Sequence, residues 1–519
     1  MWVKLVLVLV ATQLSSEIVS ATTSRVVCYH GTWARYRNGK GAYQLTDIPT
    51  SLCTHLIYSF IGLSASGEMV SLDSYLDNDL NNLNKFTGLK SSNSNLKTLV
   101  AIGGWNEGSV KFSTLAASAS LRSTFIQNAL QYCQNHNFDG LDFDWEYPAQ
   151  RGGAAADKEN FITLLKETKA VFEANGLLVS VAVAAGSASV ALSYDVARIS
   201  QYVDMINVMT YDLHGSWDGV LGHNAPLYAS SVDTTAASKQ LNVDAAISNW
   251  IAQGADPQKI NLGVPLYGRT FTITSSTNVA VGAVSSGAGI SGPYTLEAGY
   301  LGYNEIVEKE LQGGWTYVWD NEQQVPHMYK GDQWVGFDDP KAVQVKTKYA
   351  QDKGLGGVMA WAIETDDFQG LSGVKNPLLR AINEQLATSS NAAAETNESA
   401  AAAAESSASA AESSASAAES SASAAESSAS AAESSASNTN SEAASNTSNN
   451  EAASNSKVQN SVCSKAGYVR DPSDCSKFYY CAANTSGVLV GVQMSCYGGL
   501  YFDTNSNVCN WKALVTNCN

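Results

Sequence analysis

Between Val26 and Asp367 the sequence alternates strand-like apolar runs with stretches of helical character. Near-continuous apolar strands that alternate with helices are typical of a parallel sheet covered on both faces. Eight such units predict an α/β fold in which the sheet closes into a (β/α)8 barrel, the TIM barrel. The predicted strands are Val26–His30, His55–Leu63, Lys97–Trp105, Phe138–Tyr147, Leu177–Gly186, Met205–His214, Lys259–Tyr267 and Gly354–Ala362.

The first residues have the three parts of a secretory signal peptide. A basic start, Met1–Lys4, precedes an apolar core, Leu5–Ala11, and small residues at 19–21 provide a cleavage site. The apolar core is shorter than the ~20 residues that a membrane span needs. Residues 1–21 therefore predict a secreted, extracellular protein whose mature chain starts near Thr22 and whose cysteines can pair.

The fourth predicted strand alternates carboxylates with large apolar side chains. Asp142, Asp144 and Glu146 occupy every second position. Because successive strand side chains point to opposite faces, the three carboxylates share one face at a spacing of about 6.5–7 Å. Repulsion at that range raises the pKa of at least one of them. A protonated carboxyl beside an ionised one is what glycoside hydrolysis requires.

This interpretation has alternatives. An alternating acidic strand can also have one solvated face, although three carboxylates without a basic residue among them repel one another at a cost that a solvated face has no reason to bear. If the strand is catalytic, the second carboxylate serves either as a nucleophile or as the base that activates water. Asp139 lies at the other parity, which predicts a structural role at the strand entry.

The run from Asp139 to Glu146 has the form Asp-x-x-Asp-x-Asp-x-Glu and resembles the signature of glycoside hydrolase family 18, the chitinases. The resemblance implies that Glu146 is the general acid and base, that Asp144 orients the substrate acetamido group and that Asp142 modulates Asp144. It implies a retaining, substrate-assisted hydrolysis of the β-1,4 linkages between N-acetylglucosamine units of chitin, in which the N-acetyl oxygen attacks the anomeric carbon.

Other predicted strand ends carry residues that match the cleft of this family. The run Met209-Thr210-Tyr211-Asp212 is similar to its Met-x-Tyr-Asp motif, whose Tyr binds the acetamido oxygen. Trp361 matches the floor of the cleavage subsite, and Trp105 matches a residue that stacks on a sugar ring. The resemblance thus implies that Tyr211 is catalytic and that substrate is bound by Met209, Asp212, Trp105, Trp361, Tyr29, Phe60, Tyr267 and Arg269.

The interval between the seventh and eighth strands is too long for one helix. Residues of about 270–350 therefore predict an inserted domain, which resembles the α+β insertion of many family members. We assign most of its aromatic residues to its own core: Tyr294, Tyr300, Tyr303, Trp315, Tyr317 and Trp319. Beyond it, Glu364–Thr365 departs from the Asp-Leu that relatives tend to have.

The cysteines fall into two groups. Cys28 and Cys53 flank the first barrel unit and match a disulfide of the family, whereas Cys133 is left over and predicts a buried free thiol. Six further cysteines in residues 461–519 predict a disulfide-stapled module, for which sequence alone allows fifteen pairings. Their spacing resembles a peritrophin-A type chitin-binding domain, a small β module, and by that resemblance the pairs are Cys463–Cys481, Cys475–Cys518 and Cys496–Cys509.

Residues 388–460 are dominated by Ala, Ser, Glu and Asn, and the unit Glu-Ser-Ser-Ala-Ser-Ala-Ala repeats from Glu405 through Glu433. Alanine at the seam of a coiled coil would bury too little apolar surface. We interpret this stretch as a disordered, O-glycosylated linker, with Asn397 and Asn446 as candidates for N-glycosylation.

Composition limits the partners. The formal net charge of −17 disfavours nucleic acid and anionic membranes. No His/Cys/Asp cluster has metal-ligand spacing, so neither a metal nor another cofactor is expected. The sequence predicts a signal peptide, a catalytic barrel of residues 22–387, a linker and a chitin anchor, acting as a monomer on chitin and chito-oligosaccharides.

Two rival functions remain open. A catalytically weak, lectin-like relative usually alters the terminal Glu of the signature, which this chain keeps as Glu146. A structural crosslinker of a chitin matrix would need more than one binding module.

Overall fold

The structure is a computed structural model of the chain, and it describes residues 24–275, 277–388, 463, 467–483, 489–496, 500–504, 508–511 and 515. The chain divides into two units, residues 1–422 and 423–519, and each is considered by itself. The predicted signal peptide, the predicted linker beyond residue 388 and both glycosylation candidates lie outside the described residues.

The apolar runs predicted as strands form the wall of a barrel. Their residues are almost all buried, because one face packs inside the barrel and the other packs against helices. Up to the insertion the strands are β1 (Arg25–Gly31), β2 (His55–Leu63), β3 (Met69–Ser71), β4 (Lys97–Gly103), β5 (Gly140–Asp144), β6 (Leu178–Ala184), β7 (Met205–Met209) and β8 (Ile260–Pro265). Of these, the short β3 is added antiparallel to β2, outside the barrel wall.

Helices follow most of these strands: α1 (Asn82–Gly88), α2 (Val110–Ala117), α3 (Ala119–His136), α4 (Asp157–Glu173), α5 (Ser187–Ser193), α6 (Val196–Tyr202) and α7 (Val243–Ala252). The helix α3 shows how the sequence sets their ends. The Ser118 hydroxyl accepts a hydrogen bond from the Leu121 N–H at its start, and Asn137 ends it in the left-handed conformation with φ of 57°. The chain then turns directly into β5.

The insertion is an antiparallel sheet with one helix. Its elements are β9 (Tyr267–Ile273), β10 (Ser285–Ala288), β11 (Tyr300–Gly302), α8 (Tyr303–Leu311), β12 (Thr316–Asp320), β13 (Val325–Lys330) and β14 (Gln333–Gly336). The next helix, α9 (Pro340–Asp352), packs on barrel strands. The insertion therefore ends before α9, and the predicted bound near residue 350 is too late.

The assignment of the insertion's aromatic residues to its core is wrong for most of them. Of the six, only Tyr303 is buried, whereas the other five are half-buried or exposed. The aromatic core is formed instead by Phe271 and Trp334, whose ring centroids lie 5.4 Å apart. Two of these five, Tyr317 and Trp319, lie on β12, an edge strand that pairs only with β13.

The last barrel strand, β15 (Gly357–Trp361), pairs in parallel with both β8 and β1. Since β1 also pairs with β2, the ring closes in the order β1, β2, β4, β5, β6, β7, β8 and β15. The predicted closed barrel with an insertion between its seventh and eighth strands is confirmed. A helix over residues 377–388 completes this unit.

Two cysteine predictions in the barrel are confirmed. Cys28 and Cys53 form a disulfide with an S–S distance of 1.99 Å. Cys133 is buried and free, and burial raises the pKa of its thiol to about 12. A thiol in that state is a packing group and not a nucleophile.

The second unit is a small β module. A three-stranded antiparallel sheet is formed by β16 (Gly467–Arg470), β17 (Lys477–Ala483) and β18 (Leu489–Ser495), and β19 (Leu500–Asp503) pairs with β20 (Val508–Trp511). The predicted disulfide Cys463–Cys481 is present. Cys475 and Cys496 are also disulfide-bonded. Their predicted partners, Cys518 and the side chain of Cys509, lie outside the described residues, so these two pairings stay predictions.

Candidate active site

The carboxylate triplet lies at the carboxyl end of β5, inside the barrel mouth. Asp142 and Asp144 belong to the strand, and Glu146 follows two residues beyond its end. The exposed fractions are 0% for Asp142, 3% for Asp144 and 9% for Glu146. The alternative of a solvated acidic face is therefore wrong. Asp139 accepts hydrogen bonds from the Thr98 N–H and from Lys90, which ties the entry of β5 to β4.

Asp142 is fixed by groups from three other barrel strands. Its carboxylate accepts hydrogen bonds from the Tyr29 hydroxyl at 2.8 Å, the Ser180 hydroxyl at 2.5 Å and the Asn207 amide at 3.4 Å. Asn207 in turn accepts from Asn261 at 2.8 Å. Burial raises the pKa of Asp142 to about 6, although these hydrogen bonds act in the opposite direction.

The hydroxyl of Tyr29, a predicted substrate-binding residue, is thus engaged with Asp142. Tyr29 is 1% exposed and lies beneath the carboxylates, where it also accepts a hydrogen bond from Asn207 at 3.0 Å. These contacts make Tyr29 a support for the carboxylates. Ser180 and Asn207 were missed by sequence reasoning, because each is a single polar residue in an apolar strand and its partner is far away in sequence.

Asp144 and Glu146 both have raised pKa values. Burial, and then the charges of Glu146 and Asp142, raise the pKa of Asp144 well above its ordinary value. Burial raises the pKa of Glu146 to about 7, opposed by a hydrogen bond from Tyr147 and by the charge of Arg151, while Asp212 adds to the increase. The predicted increase is confirmed, but desolvation and not mutual repulsion is its largest cause.

One oxygen of Asp144 is buried and unsatisfied. Its Oδ1 is buried without a hydrogen bond from any residue that the structure describes. An unsatisfied buried acceptor is costly, so a native site that retains one commonly uses it for a ligand or an ordered water.

Tyr211 follows β7 and lies close to the carboxylates. Among the residues that the structure describes, the only hydrogen-bond acceptor of its hydroxyl is the Met359 sulfur at 3.8 Å, and a thioether is a weak acceptor. Burial, followed by the charge of Asp144, raises the pKa of Tyr211, so the phenol keeps its proton. Met209, the last residue of β7, is half-buried beside it. The Tyr211 hydroxyl is thus available to donate to a ligand oxygen.

Asp212, in the loop after β7, is hydrogen-bonded to two residues of the insertion, and its charge also acts on Glu146. It adopts a φ of 55°, and its Oδ1 accepts hydrogen bonds from the Tyr267 hydroxyl at 2.6 Å and from Arg269 Nε at 2.7 Å. The Arg269 guanidinium lies 5.1 Å from the ring centroid of Trp217, which is 58% exposed. Trp217 was missed, although an exposed Trp in the loop after a barrel strand is a recognisable signal.

Trp105 lies two residues beyond the end of β4 and is exposed. Its ring is 58% exposed, and the Arg151 guanidinium covers one face at 3.6 Å. Arg151 Nη1 also donates to the carbonyl oxygens of Trp105 and Glu146, both at 2.8 Å. Gly103 precedes it with a φ of 117°, and a Cβ there would lie 2.1 Å from the Asp144 carbonyl oxygen. Sequence reasoning missed Arg151.

Trp361, at the end of β15, is half-buried in a cluster of aromatic rings. Its ring centroid lies 5.5 Å from Tyr29, 5.8 Å from Phe60 and 6.3 Å from Trp33. Trp33 is 44% exposed and stacks on Phe60 at 6.1 Å. Trp33 was missed by sequence reasoning, although it stands in the loop directly after β1.

The site can perform acid–base chemistry on a neutral, ring-shaped ligand. It combines a carboxyl whose pKa is raised to about 7, a second carboxyl with an unsatisfied oxygen, a phenol that can donate a hydrogen bond, and exposed indole faces. In the described ranges, no group of three or more His, Cys, Asp or Glu side chains could hold a metal ion. Also within those ranges, none of the helices has the length and apolar character of a membrane span.

Comparisons with known proteins identify the families of both units. Residues 25–366 match Glycosyl hydrolases family 18, and residues 463–518 match the Chitin binding Peritrophin-A domain. The chain is 40% identical over 387 residues to the Endochitinase of Manduca sexta, an alignment that covers 72% of this chain and 70% of that protein.

Solved structures give the same result. The Ostrinia furnacalis Group IV chitinase is 47% identical with a TM-score of 0.69, and the alignment covers 70% of this chain and 100% of that one. Catalytic domain 2 of the Ostrinia furnacalis Group II chitinase, solved as a mutant in complex with penta-N-acetylchitooctaose, is 37% identical with a TM-score of 0.67, covering 70% and 96%. The chain therefore belongs to glycosyl hydrolases family 18 and carries a peritrophin-A chitin-binding domain.

Proposed function

We propose that this protein is a secreted chitinase that hydrolyses the β-1,4 linkages between N-acetylglucosamine units by a retaining, substrate-assisted mechanism. One observation carries the proposal. Glu146, with a pKa raised to about 7, stands beside a buried Asp144 and near the Tyr211 hydroxyl. Within the described part of the chain, one Asp144 oxygen has no hydrogen-bond donor and the Tyr211 hydroxyl has only a thioether as acceptor. This set matches a substrate that carries both a glycosidic oxygen and an acetamido group.

In the first step the protonated Glu146 gives its proton to the glycosidic oxygen as the bond from that oxygen to the anomeric carbon breaks. The acetamido oxygen of the same sugar attacks the anomeric carbon from the opposite face and forms a cyclic oxazolinium ion. In the second step the Glu146 carboxylate takes a proton from a water molecule, whose oxygen attacks the anomeric carbon and reopens the ring. Two displacements restore the β configuration.

Asp144 and Tyr211 hold the internal nucleophile. The free oxygen of Asp144 accepts the acetamido N–H, and its charge stabilises the positive charge of the oxazolinium. The Tyr211 hydroxyl donates to the acetamido oxygen and so fixes its direction of attack. Asp142 is held by groups from three strands. Two adjacent buried carboxyls cannot both ionise without a large cost in free energy, so Asp142 and Asp144 share one proton.

The peritrophin-A domain gives the chain a second contact with the same polymer. A chitin-binding module beside a chitin-cleaving barrel points to insoluble chitin as the natural substrate, with soluble chito-oligosaccharides as products. The rival function, a lectin-like protein without catalysis, would keep the indole surfaces but has no use for an acid whose pKa is tuned to about 7.

The substitution Glu146→Gln tests the acid. It keeps the size of the side chain and removes its proton, and a positioned general acid typically contributes 10²–10⁴-fold. We expect kcat on chitohexaose to fall at least 100-fold while chitin binding and the melting temperature are retained. Glu107→Gln, a carboxylate paired with Lys111 outside the triplet, serves as the matched control. Hydrolysis within tenfold of wild type for Glu146→Gln would place the acid elsewhere.

The substrate itself tests the nucleophile. If the acetamido oxygen attacks, a chain without N-acetyl groups has no nucleophile, and fully deacetylated chitosan should be cleaved at least 100-fold more slowly than chitin oligomers of equal length. The first-formed product, followed by NMR, should have the β configuration. An α product, or rapid cleavage of chitosan, would refute substrate assistance and leave the role of Glu146 intact.

A further inference from the structure

Glu364 is a buried carboxylate that the proposed chemistry does not use. It lies three residues beyond Trp361 and is 1% exposed. Its Oε2 accepts a hydrogen bond from the Gly31 N–H at 3.0 Å, and its Oε1 lies 3.8 Å from Arg37 Nη2. Arg37 Nη1 also donates to the Glu364 carbonyl oxygen at 3.0 Å. A charge buried in this way needs such partners to be tolerated.

These partners bracket one short segment. Gly31 and Arg37 are the residues immediately before and after the helical turn Thr32–Tyr36, and no side chain of its own caps the start of that turn. Glu364, which follows the last barrel strand, therefore caps the start of a turn that follows the first barrel strand. It holds both ends of the turn that carries Trp33.

The indole of Trp33 closes over the same contact. A Cβ placed on Gly31 would lie 2.5 Å from Glu364 Oε1 and 2.7 Å from Trp33 Cζ2. The carboxylate and the ring thus pack on one backbone position from which any larger residue is excluded. Further along, the ring stacks on Phe60 and contacts Trp361.

Trp33 lies outside the centre of the site. Tyr29, whose hydroxyl binds Asp142, contacts Trp361, and Trp361 contacts Trp33. Trp33 is thus one aromatic contact further from the carboxylates than Trp361. An exposed indole in that place suits a sugar ring remote from the bond that is cleaved.

We propose that Glu364, together with Arg37, is a positioning residue that holds the Trp33 turn so that its indole face binds an outlying N-acetylglucosamine of a long chitin chain. The inference rests on the proposed function. It makes Glu364 a determinant of preference for long chains without a part in bond cleavage.

The test is the substitution Glu364→Gln, which keeps the reach but removes the charge and presents an amide donor among the donors of Gly31 and Arg37. We expect the KM for chitohexaose to rise about 3–10-fold, which corresponds to about 0.7–1.4 kcal/mol, with kcat within twofold. For a fluorogenic chitobioside, which is too short to reach Trp33, both constants should stay within twofold. Lys40→Gln, which removes an exposed cation paired with Glu308, is the matched control and should change nothing.

A double-mutant cycle separates positioning from general destabilisation. If Glu364 acts through Trp33, adding Glu364→Gln to Trp33→Ala should change the KM for chitohexaose by less than twofold. Equal effects in the two backgrounds, or a lower kcat on the chitobioside, would overturn the proposal. If Glu364→Gln does not fold, Arg37→Gln removes the contact at the other end of the turn, and the same pattern is expected in its own cycle with Trp33→Ala.

Binding measured without turnover keeps the two proposals distinguishable. Calorimetric titration of chitohexaose into the Glu146→Gln protein, with and without Glu364→Gln, should show the same 3–10-fold loss of affinity. If the wild-type protein cleaves neither substrate, the proposed function fails while this titration still decides the role of Glu364. An unchanged affinity would overturn that role.

Discussion

The pKa of Glu146 is set by opposing contributions. Burial raises the pKa of this carboxyl to about 7, and without the hydrogen bond from Tyr147 and the charge of Arg151 it would rise further. A general acid is most efficient when its pKa lies near the working pH. The environment of Glu146 therefore suits an acid that must be protonated for the first step and ionised for the second.

A pH profile follows from this balance. Glu146 is almost fully protonated well below its pKa, and the protonated fraction falls tenfold for each pH unit well above it. The value of kcat/KM on a soluble oligosaccharide should therefore decline with a midpoint near pH 7. Asp212→Asn removes a negative charge that raises the pKa of Glu146, so the decline should move to lower pH. A profile that stays flat from pH 6 to pH 9 would show that Glu146 does not limit the reaction in this range.

The contacts of single residues also show what could and could not be predicted from the sequence. Alternation along one strand was enough to place the three carboxylates together, because parity is a local property. The groups that hold Asp142 come from positions 38 to 113 residues away. Their contacts depend on barrel closure, which no local pattern encodes. The same is true of Tyr29, whose position at a strand end fits the cleft but whose hydroxyl points beneath it.

At the scale of elements, the start of α9 depends on a fully buried ion pair. Lys346 Nζ lies 2.7 Å and 2.5 Å from the two carboxylate oxygens of Asp338, and both side chains are inaccessible. Burial lowers the pKa of Lys346 and raises that of Asp338 to about 6, so each charge depends on the other. The pair fixes α9 to the segment that leaves the insertion.

Removing one partner should therefore be costly. Lys346→Met leaves the Asp338 carboxylate buried and unpaired, and we expect a loss of about 3–5 kcal/mol in the free energy of unfolding, measured by denaturant titration. The double variant Asp338→Leu/Lys346→Met replaces the pair with apolar groups and should recover most of that loss. A single variant within 1 kcal/mol of wild type would show that the pair is not a structural requirement.

The boundary of the insertion was misplaced although the sequence carries a signal for it. Asp339 caps α9 by accepting from the Ala342 N–H at 2.8 Å, and Pro340 occupies the first helical position. Such an Asp-Pro start is recognisable in sequence. The aromatic residues of β12 had no comparable signal, since a strand at an edge and one in the middle of a sheet have similar patterns.

At the scale of the whole molecule, two units serve one polymer. The barrel unit contains every residue assigned a part in cleavage, and the peritrophin-A module occupies residues 463–518. The composition of the stretch between them predicts a flexible linker, and a chain of about 75 residues has a root-mean-square reach of roughly 45–50 Å. A module bound to solid chitin would then supply the barrel with substrate at an effective concentration set by the linker and not by the bulk.

Truncation after Thr388, where the last described helix of the barrel unit ends, tests this division of labour. Since no residue to which we assign a part in cleaving, binding or positioning the oligosaccharide lies beyond Glu364, kcat/KM on soluble chitohexaose should stay within twofold of the full chain. On insoluble chitin at low enzyme concentration, both the bound fraction of enzyme and the rate of product formation should fall, because the barrel no longer has the module that binds the surface. A melting curve checks that the truncated unit is folded. Equal losses on both substrates would show that the tail supports the barrel itself, and no loss on either would mean that the module does not anchor the enzyme to chitin.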